Sequence, residues 1–142
     1  MDEAVKARIK QAWLARPECI RSAPASEDEL RAFELRYGSI PSDFRWFLAE
    51  CGGGVVGSEW VNNIRELSTS HDKFRREFGP PRGWTMEQVF VIGWDGSGNP
   101  FGIHTPTGEL RVEDHNFAGV HHMAESFAHF LLDAFTDTLG NA

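Results

Sequence analysis

Apolar positions recur at two different periods along the chain, and the change of period divides it. From Asp2 to about Ala15, the residues Val5, Ile9, Ala12 and Trp13 fall on one face of a helix, and Asp2 and Glu3 suit its positive N-terminal end. Pro17 ends that helix. After a break around Pro24, Ser26 and Glu29 have the spacing of a capping box, in which each side chain satisfies an orphan N–H of the first turn. Leu30, Phe33 and Tyr37 mark the buried face of this second helix, and Gly38 stops it. Ile40–Pro41–Ser42–Asp43 opens a third helix, with Phe44, Phe47, Leu48 and Cys51 as its apolar stripe and Gly52, Gly53 and Gly54 as its end. Trp46 lies off that stripe and reads as a second packing contact in preference to an exposed anchor.

The period then shortens. A strand is expected to begin at Trp60 and Val61, and the charged stretch Ser70–Phe78 is expected to be helical until Gly79–Pro80–Pro81 breaks it. Val89–Trp94 is an unbroken apolar run, the pattern of a strand buried on both faces. Asp95–Gly96–Ser97–Gly98–Asn99 is a turn, Phe101–His104 returns as a strand, and Thr105–Gly108 turns again. Glu109–Glu113 then alternates, with Leu110 and Val112 on one face, which predicts a three-strand antiparallel meander. The last element is expected to be a helix from about His122 to Leu139. Phe127, Phe130, Leu131, Ala134 and Phe135 form its core stripe, and Glu125, Asp133 and Asp137 share another face at four-residue steps. N-terminal helices, then a meander, then a covering C-terminal helix read as α+β, a single domain over residues 1–142.

Composition narrows what such a domain does. A chain of this length buries roughly two-thirds of its unfolded surface, enough for one core without staples, and Phe at 11 and Trp at 5 make that core heavily aromatic. Two cysteines are too few for a disulfide framework, and Cys51 reads as a small buried hydrophobe. Asp and Glu number 21 against 14 Lys and Arg, a net charge of -7. An acidic surface repels phosphate backbones and draws basic partners, so no nucleic acid is expected as ligand; solubility alone also explains such a charge. The first ten residues lack the basic start and apolar run of a secretory signal, and no apolar stretch approaches the ~20 residues of a membrane span, so no membrane association and a cytoplasmic location are expected.

The residues that carry chemistry do not assemble into a catalytic set. His115, His121 and His122 cluster near Asp114, but without the helical spacing of a zinc site, so helix capping or loop bonding is the preferred reading and no metal is expected. Asp95, Ser97 and Asn99 have the initial spacing of a calcium loop, yet Pro100 and Pro106 stand where that loop needs Gly and Glu. Cys51 lies near a helix C-terminus, which does not lower a thiol pKa. Neither a dinucleotide fingerprint nor a nucleophile elbow is present. No enzyme and no cofactor are expected.

Two stretches together resemble a known family. One runs from Ser26–Glu29 through Phe33, Tyr37, Gly38, Ile40–Pro41 and Asp43–Leu48 to the glycines Gly52–Gly54. The other runs from Val91–Gly93–Trp94–Asp95–Gly96–Ser97–Gly98–Asn99–Pro100 through Thr107–Gly108–Glu109 and Asp114–His115 to Ala124–Phe127 and Phe130–Leu131. Their order and spacing resemble the Smi/Knr type of the SUKH superfamily over residues 26–132. The resemblance implies a curved sheet with packed helices, no cofactor, and a protein-binding role. Many bacterial members are immunity proteins that bind and block a toxin domain, often a nuclease, and fungal relatives are scaffolds. An immunity-type protein with a basic toxin partner is therefore expected. A scaffold or regulatory adaptor is the alternative, and a metal-dependent enzyme using Asp114, His115, His121 or His122 the last. The expected partner contacts are Trp60, Asp95, Asp114, Glu125, Asp133 and Asp137, with turn bonding the preferred role of Asp95 and Asp114.

Overall fold

Side-chain caps decide where the helices begin. The structure, a computed structural model, describes residues 1–77, 88–114 and 119–135. Helix α1 (Glu3–Leu14) starts where the Asp2 carboxylate accepts the Val5 N–H at 2.8 Å. Helix α2 (Glu27–Tyr37) carries the capping box expected from its sequence, Ser26 and Glu29 each accepting the other's backbone N–H at 3.1 Å. Helix α3 (Ser42–Glu50) is clamped to α2 by Arg45, whose guanidinium lies 2.7 Å from Glu27 and 3.0 Å from Glu34.

The glycines after α3 do more than stop it. Gly52, Gly53 and Gly54 have φ of 98°, 117° and 139°, values that only glycine adopts without strain. A Cβ on Gly52 would strike the Ser22 carbonyl, and one on Gly54 the Ile20 carbonyl. The segment between α1 and α2 crosses at this point: Ser22 N–H donates to the Gly53 carbonyl at 2.8 Å, and Arg21 bridges Gly54. The chain thereby turns from α3 straight into a strand.

The sheet is a six-stranded antiparallel meander in chain order: β1 (Gly54–Val56), β2 (Glu59–Val61), β3 (Val89–Trp94), β4 (Pro100–His104), β5 (Leu110–Glu113) and β6 (Val120–Ala124). The strand expected at Trp60–Val61 is β2, and the expected three-strand meander is β3, β4 and β5. Strand β1 is three residues long, too short to display a period. Strand β6 lies where the last helix was expected to begin. His121 and His122 pair with Val112 and Arg111 instead, and helix α5 (Phe127–Ala134) starts at Ser126, whose hydroxyl accepts the His129 N–H at 3.0 Å. The expected continuation to Leu139 lies outside the described residues. Helix α4 (Ile64–Glu77) begins well before Ser70, because Asn63 and Glu66 form a second reciprocal cap of 2.8 and 3.0 Å. Its expected end at Phe78 and the break at Gly79–Pro81 also lie outside the described residues. No helix among the described residues is long and apolar enough to cross a membrane.

Aromatic rings fill the space between α1, α2, α3, α5 and the sheet. Trp13, Phe44, Phe47, Phe127 and Phe135 are fully enclosed or nearly so. Trp13 meets Phe47 at 5.3 Å and donates its indole N–H to the Cys51 carbonyl at 2.9 Å. Phe127 meets both Phe44 and Phe47 edge-on at 5.5 Å. Trp46 is half-buried against the same core, as its packing role required. Strand β3 is buried along nearly its whole length: Phe90 and Ile92 join the main core, while Val89 and Val91 form a second cluster with Phe74 of α4.

Helix α4 is also tied to β3 by a buried histidine. His71 Nε2 lies 2.9 Å from the Val91 carbonyl. A carbonyl only accepts, so the proton sits on Nε2, and Nδ1 is left buried without a partner. The ring stands edge-on to Phe33, Tyr37 and Phe90. Burial pushes its pKa from 6.5 down to about 4, outweighing the bond to Val91. The unfolded chain therefore takes up a proton that the folded one refuses. Stability is unaffected by His71 above pH 6.5 and falls as the pH drops from 6.5 to about 4, by roughly 3 kcal/mol in all. Denaturant unfolding across that window is expected to show a shallower acid slope in His71→Gln, whose amide keeps a donor but does not titrate. Equal slopes in the two proteins would refute the assignment.

Candidate functional site

The residues expected to contact a partner fall at separate places on the sheet. Trp60 sits on β2 directly opposite Trp94 of β3, 37% exposed, and donates its indole N–H to the Glu66 carboxylate at 3.0 Å. The same carboxylate caps α4, so this tryptophan is tethered to the start of that helix. Lys73 lies 4.4 Å over the Trp94 ring. Asp95 follows Trp94 and is half-buried. Its carboxylate accepts the N–H groups of Ser97 and Asn99 at 2.8 and 2.9 Å and the Asn99 amide at 3.0 Å, so it builds the turn between β3 and β4.

Asp114 and Glu125 lie at opposite ends of the β5–β6 pair, and Asp133 lies on α5. Asp114 is half-buried at the end of β5, and its N–H donates to the Gly119 carbonyl at 3.0 Å across the mouth of the β5–β6 connection. Glu125 is exposed at the opposite end of β6, 3.7 Å from the His122 ring. Because it precedes the Ser126 cap, it does not share a helical face with Asp133, contrary to the four-residue spacing. Asp133 is exposed in the last turn of α5, and Asp137 lies outside the described residues.

The structure adds a feature that spacing did not reveal. A cleft of about 330 Å³ is lined by the Val56–Glu59 hairpin together with β6 and α5, which contribute Met123, Phe130 and Asp133. One Glu59 oxygen accepts the Ser58 hydroxyl at 2.9 Å, and the other is buried without a hydrogen bond. Arg16 fixes the far wall: it donates to the Ala134 carbonyl at 2.9 Å and lies 4.5 Å over Phe135. Outside the cleft, Glu109 bonds Arg111 and His122, and the Arg111 guanidinium holds its carboxyl below the usual range. No sequence motif marks Glu59, since its place depends on how far the sheet curls.

The chemistry available here is recognition. Burial pushes the Cys51 thiol up to about 12, so it stays protonated and inert. Among the described residues no group of three or more His, Cys, Asp or Glu is placed to hold a metal ion. His121 and His122, as strand neighbours, point to opposite faces, and His115 lies outside the described residues. A further cleft of about 360 Å³, between the starts of α3 and α5 and the β4–β5 turn, has Ile40, Ile103 and Phe127 among its lining. Its one carboxylate, Asp43, is paired with the N-terminal amine at 3.3 Å.

The two kinds of acidic residue are expected to separate on mutation. Asp95→Ala removes three charge-assisted bonds and is expected to cost roughly 1–3 kcal/mol, whereas exposed Glu125→Ala is expected to stay within about 0.5 kcal/mol of wild type. Thermal unfolding of both variants checks this, and equal losses would contradict the division.

Comparison with known proteins gives one result on each of two counts. No curated protein matches. The family model described as SMI1 / KNR4 family (SUKH-1) matches residues 24–133.

Proposed function

The chain belongs to the SMI1 / KNR4 family (SUKH-1), and from that premise we propose that it is an immunity-type binding protein that neutralises a cognate toxin, a nuclease foremost, by direct contact. The family is generally non-enzymatic. The observation that carries the reading is the acidic rim around β6: Glu59, Glu125 and Asp133 surround the cleft and the strand's end, and Arg111, the one cation on that flank among residues of β5 and β6, is already bound by Glu109. Nuclease domains hold phosphates with basic grooves, so a protein of net charge -7 is attracted to the surface it has to cover. The proposed contacts are Glu125 and Asp133 with the Trp60, Asp95 and Asp114 loops, and Asp137 by its sequence position. Asp95 acts there through the turn it builds. The cytoplasm is the compartment this role requires.

Co-expression is the test. The product of the adjacent gene, expressed in a sensitive bacterium, is expected to arrest growth alone and to be tolerated with this protein present. A harmless neighbour, or one that kills regardless, removes the pairing and favours an adaptor. Where rescue is found, Glu125→Lys with Asp133→Lys is expected to weaken toxin binding about tenfold or more, with most of the loss in the association rate and least at high salt. Unchanged affinity would place the toxin on another surface.

A further inference from the structure

The two edges of the sheet are treated differently. The β1 edge is closed by the chain itself: Arg21 bridges Gly54, Ser22 bonds Gly53, and the Ile20 carbonyl lies so close to Gly54 that no side chain fits. Among the described residues the β6 edge has no such cover. Among the described residues no strand pairs beyond it, and Val120, His121 and His122 are exposed, Val120 at 41%. Natural sheets blunt an open edge with lysine, proline or a bulge. Strand β6 has no lysine, arginine or proline, and its bulge, between the Leu110–Ala124 and Arg111–His122 pairs, comes only at Met123. Val120–His122 is therefore a short regular template with no strand beside it among the described residues.

The surroundings say what kind of strand it takes. Glu109 and Glu125 lie 3.3 and 3.7 Å from the two nitrogens of the His122 ring. At its Ala124 end β6 adjoins the cleft lined by Met123, Phe130, Glu59 and Asp133, where one Glu59 oxygen is buried without a hydrogen bond. That combination suits a lysine or arginine, whose alkyl stem lies on the apolar wall while its charge meets the carboxylates. A second copy of the chain suits it poorly. In-register parallel self-pairing would set Glu125 beside Glu125, and any self-pairing brings together two chains of charge -7.

We propose that β6 is a strand-addition site, at which an extended basic segment of a partner protein continues the sheet and places a lysine or arginine in the Glu59–Asp133 cleft. This rests on the binding role proposed above and specifies its mode. Backbone hydrogen bonds along Val120–His122 supply register, and the alternating side chains of the added strand supply selectivity. Met123 and Phe130 hold the stem of the inserted side chain.

The test uses the intact protein and a synthetic peptide alternating lysine with valine. Three controls accompany it: the same peptide with glutamate for lysine, one N-methylated at alternate backbone nitrogens, and the protein alone at rising concentration. The lysine peptide is expected to bind and to slow amide exchange at Val120–Met123. N-methylation, which removes ladder donors without touching the protein, is expected to weaken binding about tenfold, and the glutamate peptide is expected not to bind. Glu59→Gln is expected to weaken the lysine peptide several-fold. Failure of the lysine peptide to bind, protection elsewhere, or indifference to N-methylation overturns the proposal. Protection that grows with protein concentration alone assigns the edge to a second copy and overturns it equally. A toxin neutralised without protection at β6 removes the strand-addition mode and leaves the immunity role standing. Peptide pairing at β6 without any rescue by the protein does the reverse.

Discussion

Edge-to-face contact between aromatic rings joins every layer of this domain, and the remaining elements are placed by it. Trp13 on α1 touches Phe47 on α3, Phe47 touches Phe127 on α5, Phe127 touches Phe44, and Phe44 reaches Phe90 on β3, which meets Phe33 on α2. Each contact adds a directional preference to the area it buries, since a ring's positive edge seeks another's negative face. The chain of rings thus fixes helix orientation as well as proximity. It also explains why Trp13 is tolerated at zero exposure: its one polar atom finds the carbonyl of Cys51 at the end of α3.

With the core settled by rings, the carboxylates are left to two other tasks. Asp2, Ser26 with Glu29, and Asn63 with Glu66 start helices, Glu34 and Glu27 hold Arg45, and Asp95 closes a turn. These charges are absorbed by backbone N–H groups or a guanidinium within a few residues or one neighbouring helix. Glu125 and Asp133 are exposed at the β6–α5 edge, and Glu59 lines the same cleft as Asp133. A net charge alone does not distinguish these tasks; hydrogen-bond geometry does.

The parts of this architecture visible in the sequence are those encoded locally. The Ser26–Glu29 box, the Phe44–Phe47–Leu48 stripe and the unbroken Val89–Trp94 run each specify an element by spacing, and each forms. Asn63–Ile64–Arg65–Glu66 carries the same capping signal and marks the start of α4 six residues before the charged run that suggested a helix. Strand β2 was legible at Trp60–Val61, whereas β1 and β6, three and five residues long, lack the apolar–polar alternation that marks a strand locally. The acidic residues at 125 and 133 were found by composition, but the helical face assigned to them dissolved once Ser126 capped α5. Glu59 escaped notice because its opposite wall is contributed by residues more than sixty positions away.

The independence of the Ser126 cap from exposed Glu125 has a consequence for the surface. The hydroxyl that starts α5 bonds within its own turn, and Phe127 and Leu131 anchor the helix below, so the exposed Glu125 is not what caps it. Effects of substitutions at well-separated sites without shared partners are close to additive. The charge at position 125 can therefore change without the helix beside it registering the change, so surface and scaffold are separable at this corner of the fold.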